Sequence, residues 1–290
     1  MDLGKLGVWY FLDGLSTEDS IRAAQKIESL GYGALWLPET VGKDPLTTSS
    51  LLLHVTTKLN LATGIVNIYH REPGVMLAAQ KTLAEQSQNR FVLGMGVSHK
   101  PLVEGVRGLE YGPPVKTMKD YLSKMEASPY TGIASTEKPT TLIAALGPKM
   151  LELAAEKTDG AHPYFTSPEH TEFARKILGK DKKLCVEQKV MLEPDLPKAR
   201  DLARPTAKIY QGLPNYRNNW LRMGLREEDI DSLSDRFMDT TFALGTQAQI
   251  EKRLQDHFDA GADHVCIQPI NPNGKMGDID WSCLEALSKA

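Results

Sequence analysis

The chain has 290 residues, of which 41% are apolar and 24% are charged, and its formal net charge at pH 7 is -3. This balance is typical of a folded globular protein, and it creates no positive field that would attract nucleic acid or an anionic membrane surface. A small-molecule ligand is therefore the partner that the composition favours. The length fits one α/β barrel of about 250 residues with insertions.

The three cysteines lie far apart in the sequence and form no CxxC motif, so we expect them to be reduced and buried. No segment reaches the roughly 20 apolar residues that span a bilayer. The first residues, MDLGKLGVWYF, begin directly as a strand and lack the pattern of a signal peptide. These features predict a cytoplasmic protein with neither a membrane nor a nucleic-acid partner.

Apolar runs that predict buried strands alternate along the chain with helical segments. A first helix begins at Ser16, with Asp19 three residues later, and ends at Gly31. Two further helices begin at Pro73 and near Pro148, since proline suits the first helical turn. The predicted strands are Leu6 to Phe11, Ala34 to Leu37, Leu59 to Ile68, Phe91 to Val97, Thr141 to Leu146, Gly160 to Phe165, Leu184 to Leu192 and His264 to Ile270. Eight strands with intervening helices indicate an α/β protein of the (β/α)8 TIM barrel type rather than an open sheet.

The alternation is interrupted between residues 193 and 245. Two helical patterns, PKARDLARPTAKIYQ and REEDIDSLSDRFMD, flank a predicted loop over residues 212–225. We interpret this stretch as a helical insertion between strands seven and eight of a single barrel domain over residues 1–290. Long insertions at the loop face cover a site or contact another subunit. The sequence does not decide between these roles for the loop that carries Tyr216 and Trp220.

Polar residues follow several predicted strands, at the end of the barrel where active sites are built. Glu39 follows the second strand, where a carboxylate accepts a hydrogen bond from a ligand or caps a turn. Residues 64–67 end the third strand, and Gly64 there admits a flat ring or forms a β-bulge without a ligand. His99 ends the fourth strand, where an imidazole transfers a proton near neutral pH or makes a structural hydrogen bond.

A possible phosphate site lies in the segment ALGPKMLELAAEK. Gly147, Pro148 and Lys149 come between a predicted strand and a predicted helix. Free N–H groups at a helix N-terminus, with a lysine beside them, suit an anion. An ordinary tight turn would use the same glycine and proline for backbone reasons alone, so both interpretations stay open.

Several common catalytic and nucleotide-binding motifs are absent from the sequence. It contains no GxGxxG, GxxxxGK[ST], GxSxG or HExxH motif. The seven histidines are not spaced like metal ligands, and we therefore predict no metal site.

Five segments in chain order resemble the luciferase-like monooxygenase superfamily, and within it the coenzyme F420-dependent oxidoreductases, which use a deazaflavin. The segments are GALWLPETVG, LATGIVNIYHREP, RFVLGMGVSHKPLVEG, AALGPKMLELAAEKTDGAHPYF and AGADHVCIQ. The resemblance covers nearly the whole chain. It implies the barrel predicted above and a homodimer formed through barrel helices.

The resemblance also implies which residues bind the cofactor. In the family, the third strand ends in a bulge with a non-prolyl cis peptide behind the deazaflavin ring, and Gly64 and Ile65 occupy that place. The resemblance implies a ring-side segment beside this bulge and a phosphate loop further along the chain. The implied cofactor-binding residues are Gly64, Ile65, Val66, Asn67, Gly96, Val97, Ser98, Gly147, Pro148 and Lys149.

Catalytic and substrate-binding positions follow by the same resemblance. The sugar-phosphate dehydrogenase branch has an acidic proton donor at the fourth strand end, where this chain carries His99, so that branch's substrate does not transfer. Glu39 falls at the second strand end, where relatives carry an acidic or imidazole group. The implied substrate-binding residues are Trp9, Tyr10, His70, Arg71, His162 and Tyr164.

The resemblance predicts an oxidoreductase that transfers a hydride between F420 and a small organic substrate, with His99 or Glu39 moving a proton. Two alternatives stay open: an FMN-dependent monooxygenase, and a flavin-binding barrel without turnover. A mere binder has no need for Glu39, His70 and His99 together, which favours an enzyme.

Overall fold

The computed structural model describes residues 1–275 and 278–288. All eight predicted strands are present, most of them with shorter bounds, and Phe242–Gly245 is an additional strand that was not predicted. The strands are Leu6–Trp9 (β1), Ala34–Leu37 (β2), Asn60–Thr63 (β3), Val66–Asn67 (β4), Phe91–Gly96 (β5), Thr140–Ile143 (β6), Gly160–Ala161 (β7), Lys183–Leu192 (β8), Phe242–Gly245 (β9) and His264–Pro269 (β10).

The strands form a closed parallel barrel, as the sequence predicts. β1 pairs with β2 on one side and with β10 on the other, and β10 also pairs with β8, which closes the ring. β3 and β4 together make the third barrel strand, since both pair with β5. All carboxyl ends therefore lie at one end of the barrel, where polar side chains converge.

Helices surround the barrel and fill the predicted insertion. They are Thr17–Ser29 (α1), Pro45–Val55 (α2), Pro73–Gln86 (α3), Pro114–Ala127 (α4), Pro148–Lys157 (α5), Pro168–Leu178 (α6), Leu196–Tyr210 (α7), Pro214–Arg222 (α8), Glu227–Ser232 (α9), Asp235–Thr241 (α10), Gln247–Asp259 (α11) and Trp281–Leu287 (α12). The predicted caps are confirmed at α1, where Ser16 Oγ accepts the Asp19 N–H, and at the proline starts of α3 and α5.

Two details of the insertion differ from the sequence prediction. The loop predicted over residues 212–225 is wrong, because its centre forms α8. Pro214 begins this helix, Tyr216 and Trp220 share its buried face four residues apart, and Gly224 follows it with a φ of 87°. In addition, the last four residues of the predicted insertion form β9, which pairs with residues 189–192 of β8.

The predicted third strand is broken between β3 and β4. The Gly64–Ile65 peptide bond at the break is cis, as the family resemblance implied. Thr63 replaces the missing strand contacts with its hydroxyl, which donates to the Gly94 carbonyl at 2.8 Å and accepts the Gly94 N–H at 2.9 Å. After the break, Val66 and Asn67 resume the pairing with β5.

The barrel interior holds aromatic and imidazole rings as well as aliphatic side chains. The Trp36 Nε1–H donates to His264 Nε2 at 3.0 Å, and His264 Nδ1–H donates to the Gly4 carbonyl at 2.8 Å. The His162 ring stacks on the Trp36 ring, and the two ring centroids are 4.4 Å apart. All three cysteines are free and buried, as predicted. These groups fix a filled core below the carboxyl ends of the strands.

Candidate active site

The centre of the candidate site is the bulge at residues 64–67, next to the end of β1. Trp9 lies at that end and donates its Nε1–H to the Gly64 carbonyl at 2.8 Å. The Tyr164 ring lies 5.0 Å from Trp9 and is half-buried. The bulge, Trp9 and Tyr164 are therefore brought together at the mouth of the barrel, although they are up to 155 residues apart in the sequence.

His99 lies on the same side of the mouth, three residues after β5. Its ring is 5.4 Å from the Tyr216 ring, and Tyr216 is in turn 6.1 Å from Tyr164. Burial lowers the pKa of His99 below its usual value, and a hydrogen bond with Asn215 opposes that shift. The imidazole is therefore mainly neutral at neutral pH, which suits a group that accepts a proton.

Glu39 is part of a closed polar network rather than a free carboxylate. It accepts the Asn67 N–H at 2.7 Å, contacts His70 Nδ1 at 3.2 Å and pairs with Arg71 at 2.7 Å. Arg71 also pairs with Asp44, while its Nη1 is buried without a hydrogen-bond partner among the described residues. Arg71 therefore forms ion pairs with carboxylates of the chain itself. Such pairing was the alternative to an ion pair with an anionic substrate.

The same network fixes the ring of His70. His70 Nε2 lies 3.0 Å from the amide nitrogen Nδ2 of Asn67, and an amide nitrogen only donates. Nε2 is therefore the acceptor, and Nδ1 carries the proton that points toward Glu39. Together these contacts hold the ends of β2 and β4 together. Glu39 accordingly has the geometry of a positioning group for the bulge.

The glycines at the bulge fit close protein packing. A Cβ added to Gly64 would lie 2.6 Å from Trp9 Nε1, and one added to Gly96 would lie 2.6 Å from the Ile65 side chain. Val66 pairs with the strand that contains Gly96 and is fully buried. The side-chain positions of both glycines are thus filled by the chain itself.

The neighbouring Val97 and Ser98 continue β5 toward His99. Both are partly exposed, and Ser98 has a φ of 56°, in the left-handed region. The Ser98 carbonyl accepts a hydrogen bond from the Tyr111 hydroxyl at 3.3 Å. This contact ties the segment after β5 to the loop that precedes α4.

The predicted phosphate loop begins α5. Gly147 is its N-cap residue and makes no side-chain capping bond, Pro148 is the first helical residue, and Lys149 is exposed. In contrast to Gly64 and Gly96, the space beside Gly147 is open, and the nearest atom to an added Cβ is Arg222 Nη2 at 3.7 Å. Pro148 has no N–H, and the Met150 N–H donates to the Gly147 carbonyl at 3.2 Å. The N–H groups of Gly147 and Lys149 and the nearby Arg222 are therefore the donors that suit an anion here.

Two implied substrate-binding residues lie deeper than expected. His162 is fully buried, its Nδ1–H donates to the Cys185 carbonyl at 2.9 Å, and burial lowers its pKa to about 4. Its unpartnered Nε2 lies 3.0 Å from the position of a Cβ on Gly64. Tyr10 is also buried. His162 therefore lies in the wall of the barrel, whereas Tyr10 follows the carboxyl end of β1 and is buried there like its neighbour Trp9.

A buried ion pair on β8 escaped the sequence analysis. Glu187 and Lys189 have no exposed side-chain surface and are joined at 3.2 Å. The Lys189 ammonium group lies 3.7 Å from the centre of the Tyr164 ring and 4.0 Å from that of Phe165. The signal was the alternation in LCVEQKVML, where two charged residues share one face of an otherwise apolar strand.

The Tyr164 hydroxyl is held by residues that the sequence analysis also missed. It donates to Gln268 Oε1 at 2.9 Å and lies 2.7 Å from the Tyr210 hydroxyl. Tyr210 ends α7 and Gln268 lies on β10, so two distant segments fix the phenol of Tyr164. No local sequence pattern marks such a contact.

Within residues 1–275 and 278–288, no three His, Cys, Asp or Glu side chains are arranged to hold a metal ion. No helix in these ranges is long and apolar enough to cross a membrane.

The closed parallel barrel, with a broken third strand and an insertion before its last strand, defines a class of α/β barrel with its site at the carboxyl ends. Residues 10–264 match the sequence model of the luciferase-like monooxygenase family. The chain belongs to that family.

Curated relatives cover almost the full chain. A putative coenzyme F420-dependent oxidoreductase of Mycobacterium tuberculosis is 26% identical, over 92% of this chain and 94% of its own length. A 5,10-methylenetetrahydromethanopterin reductase of Archaeoglobus fulgidus is 25% identical, over 86% of this chain and 89% of its own.

Solved structures support the fold. An F420-dependent secondary alcohol dehydrogenase, solved with an F420-acetone adduct, has a TM-score of 0.75 at 15% identity, covering 100% of this chain and 98% of its own. The oxygenating component of a diketocamphane monooxygenase from Pseudomonas putida, solved with FMN, has a TM-score of 0.73 at 15% identity, covering 98% and 97%. At this identity the likeness shows the barrel architecture and not the cofactor.

Proposed function

We propose that this protein is an F420-dependent oxidoreductase that transfers a hydride between the deazaflavin and a small organic substrate. The observation that carries the proposal is the open, positively charged N-terminus of α5 beside the same barrel mouth that holds His99. The two relatives described above, one named for F420 and both spanning most of the chain, favour the deazaflavin over FMN.

The residues present fit a cofactor with a flat ring and a phosphate. The phosphate would be held by the N–H groups at the start of α5 and by Lys149, and the ring would rest on the outer side of the Gly64–Asn67 bulge. When bound, the deazaflavin supplies two-electron hydride transfer. The chain's own part is to orient ring and substrate face to face and to exclude water from between them.

His99 is the proposed proton-transfer residue. Its neutral Nδ1 or Nε2 accepts the proton that a substrate hydroxyl loses as its carbon gives up a hydride, and it returns that proton in the reverse direction. Glu39 has a different proposed role, since its oxygens are occupied by Asn67, His70 and Arg71. We propose that Glu39 positions the bulge and does not transfer the proton itself.

Replacing His99 by Ala tests this assignment. We expect turnover to fall by about 10²- to 10⁴-fold, the usual contribution of general acid–base catalysis, while the dissociation constant for F420 stays nearly unchanged. Turnover would be followed by the loss of the deazaflavin's visible absorbance with a substrate found by screening alcohols and aldehydes. His54→Ala is the matched control, because His54 is an exposed residue of α2. Full activity of His99→Ala would overturn the role.

The cofactor itself is tested by parallel titration of the purified protein with F420 and FMN, read by quenching of tryptophan fluorescence. Selective binding of F420 would support the proposal. Preference for FMN would instead support a monooxygenase, and binding of neither would contradict a flavin enzyme. The expected homodimer and cytoplasmic location stay predictions.

A further inference from the structure

The start of α5 carries positive charge that nothing in the described chain neutralises. A helix N-terminus has a partial positive charge and is stabilised by acidic residues in its first turn. α5 has no acidic residue in that turn and no side-chain cap, and Lys149 adds a further positive charge. This arrangement favours the binding of an anion.

A second positive group comes from the insertion. Arg222 ends α8, and its Nη2 lies 3.7 Å from the position of a Cβ on Gly147, directly over the start of α5. Its Nη1 donates to Asn219 Oδ1 at 2.9 Å, which orients the guanidinium. Arg222 forms no ion pair with a carboxylate of the described residues. A guanidinium held beside a positive helix end is repulsive unless an anion lies between them.

Three buried polar atoms around the start of α6 have no hydrogen-bond partner in the described chain. His170 Nε2–H donates to the Leu146 carbonyl at 2.9 Å, so its ring is wedged between the start of α5 and the first turn of α6. Among the described residues, His170 Nδ1 has no hydrogen-bond partner, and neither do the hydroxyls of Thr166 and Ser167, although all three residues are more than nine-tenths buried. Ser167 is the N-cap of α6 and makes no capping bond.

Unpartnered buried polar groups are rare in folded proteins and indicate a missing water or ligand. Among them, His170 lies beside the start of α5, because its ring bonds the carbonyl of Leu146 directly before Gly147 and Arg222 is near enough to act on its charge. Burial is the main cause that lowers the pKa of His170 to about 4, and the nearby Arg222 adds to the effect. The ring is therefore neutral at neutral pH, and its free Nδ1 accepts a hydrogen bond, for example from a water bound to an anion.

We propose that Arg222 binds the cofactor phosphate together with the N-terminus of α5, so that the insertion forms one wall of the phosphate site. The inference rests on the proposed function, because it assumes a phosphate-bearing flavin or deazaflavin. Arg222 supplies two parallel N–H donors to phosphate oxygens, which a lysine cannot do.

This assignment joins the two ends of α8 to the reaction site. Asn215 and Tyr216, in its first turn, contact His99, and Arg222, at its last residue, reaches α5. A bound phosphate therefore fixes α8 across the mouth and keeps the His99 ring in place.

The experiment measures the dissociation constants of two cofactors and of their phosphate-free cores. The ligands are F420, its deazariboflavin core without the phosphate and tail, FMN and riboflavin, each titrated against intrinsic tryptophan fluorescence. The variants are Arg222→Gln, Lys149→Ala and the control Lys176→Gln, which removes an exposed charge of α6 that pairs only with Glu172. Thermal unfolding checks that each variant folds.

For Arg222→Gln we expect the phosphate-bearing ligand to bind about 10- to 100-fold more weakly, because a charge-assisted hydrogen bond is lost. The phosphate-free core should bind as before. Lys176→Gln should change neither value. The inference would be overturned if Arg222→Gln weakened the binding of the phosphate-bearing ligand and of its phosphate-free core equally, or if it weakened the binding of neither. If the wild-type chain binds FMN and not F420, the proposed function fails, but the FMN and riboflavin pair still tests Arg222.

Discussion

At the scale of single residues, Gly94 shows how tightly the broken third strand is specified. The Thr63 hydroxyl replaces a strand ladder by bonding both the N–H and the carbonyl of Gly94. The Thr63 carbonyl lies 1.9 Å from the position of a Cβ on Gly94. Only a residue without a side chain leaves room for this approach, and the bulge next to the candidate site depends on it.

We therefore expect Gly94→Ala to lower the free energy of unfolding by about 1–3 kcal/mol or more, the usual cost of overpacking a rigid core. The clash is with backbone, which cannot rotate away. Gly14→Ala is the matched control, since no atom lies within 4 Å of its Cβ position, and its stability should change little. Urea denaturation of both variants and the wild type measures these free energies. If Gly94→Ala were as stable as Gly14→Ala, β5 would be able to shift at no cost in stability.

At the scale of elements, β8 brings charge into the barrel and holds it there. Burial raises the pKa of Glu187 and lowers that of Lys189 to about 8, so each group depends on the other to stay charged. Glu187 also accepts the Phe165 N–H at 2.8 Å, which fixes the turn after β7. The strand thus positions Tyr164 and Phe165 at the barrel mouth.

Lys189→Met should lower the free energy of unfolding by about 3–5 kcal/mol, because it leaves the buried Glu187 without its charge partner, so that this carboxyl must either stay as an unpaired charge or take up a proton. The double variant Glu187→Gln, Lys189→Met should recover most of that loss, since the amide oxygen still accepts from Phe165. Chemical denaturation of the two variants and the wild type measures the difference. A double variant as unstable as the single one would contradict a charge-pair explanation.

At the scale of the whole molecule, four histidines are buried around the barrel in neutral form. Burial lowers the pKa of His162, His170 and His264 to about 4 and that of His257 to about 3, from an ordinary value of 6.5. The unfolded chain therefore takes up protons below pH 6.5, while the folded chain resists them down to about pH 4. The free energy of unfolding consequently falls as the pH falls through this range.

We expect the urea midpoint to decrease steadily from pH 6.5 to pH 4.5 and to vary much less just above pH 6.5. Each pKa unit between the folded and unfolded states corresponds to about 1.4 kcal/mol per group. His54→Ala should keep the same pH dependence, because His54 is exposed on α2. A midpoint that does not change between pH 7 and pH 5 would show that the buried rings do not control acid stability.

The sequence predicted those parts of the site that follow strand ends and helix starts. His99, the bulge and the α5 N-terminus lie where the strand pattern places them, because a parallel barrel puts every carboxyl end on one side. α8 was mistaken for a loop, since its short pattern is dominated by Asn and Arg, although Pro214 and Gly224 mark its two ends. β9 was missed because a four-residue strand following directly after a helix shows no clear alternation.

By itself, the sequence determined the barrel, its order of strands and the family, because these depend on local hydrophobic patterns and strand-end motifs repeated along the chain. Only the tertiary structure decided which charges are engaged and which are open. Glu39 and Arg71 neutralise each other, whereas Arg222 faces Gly147 without a carboxylate partner among the described residues. The physical reason is that electrostatic interactions depend on distance in space, and residues 75 positions apart in the sequence meet only once the chain has folded.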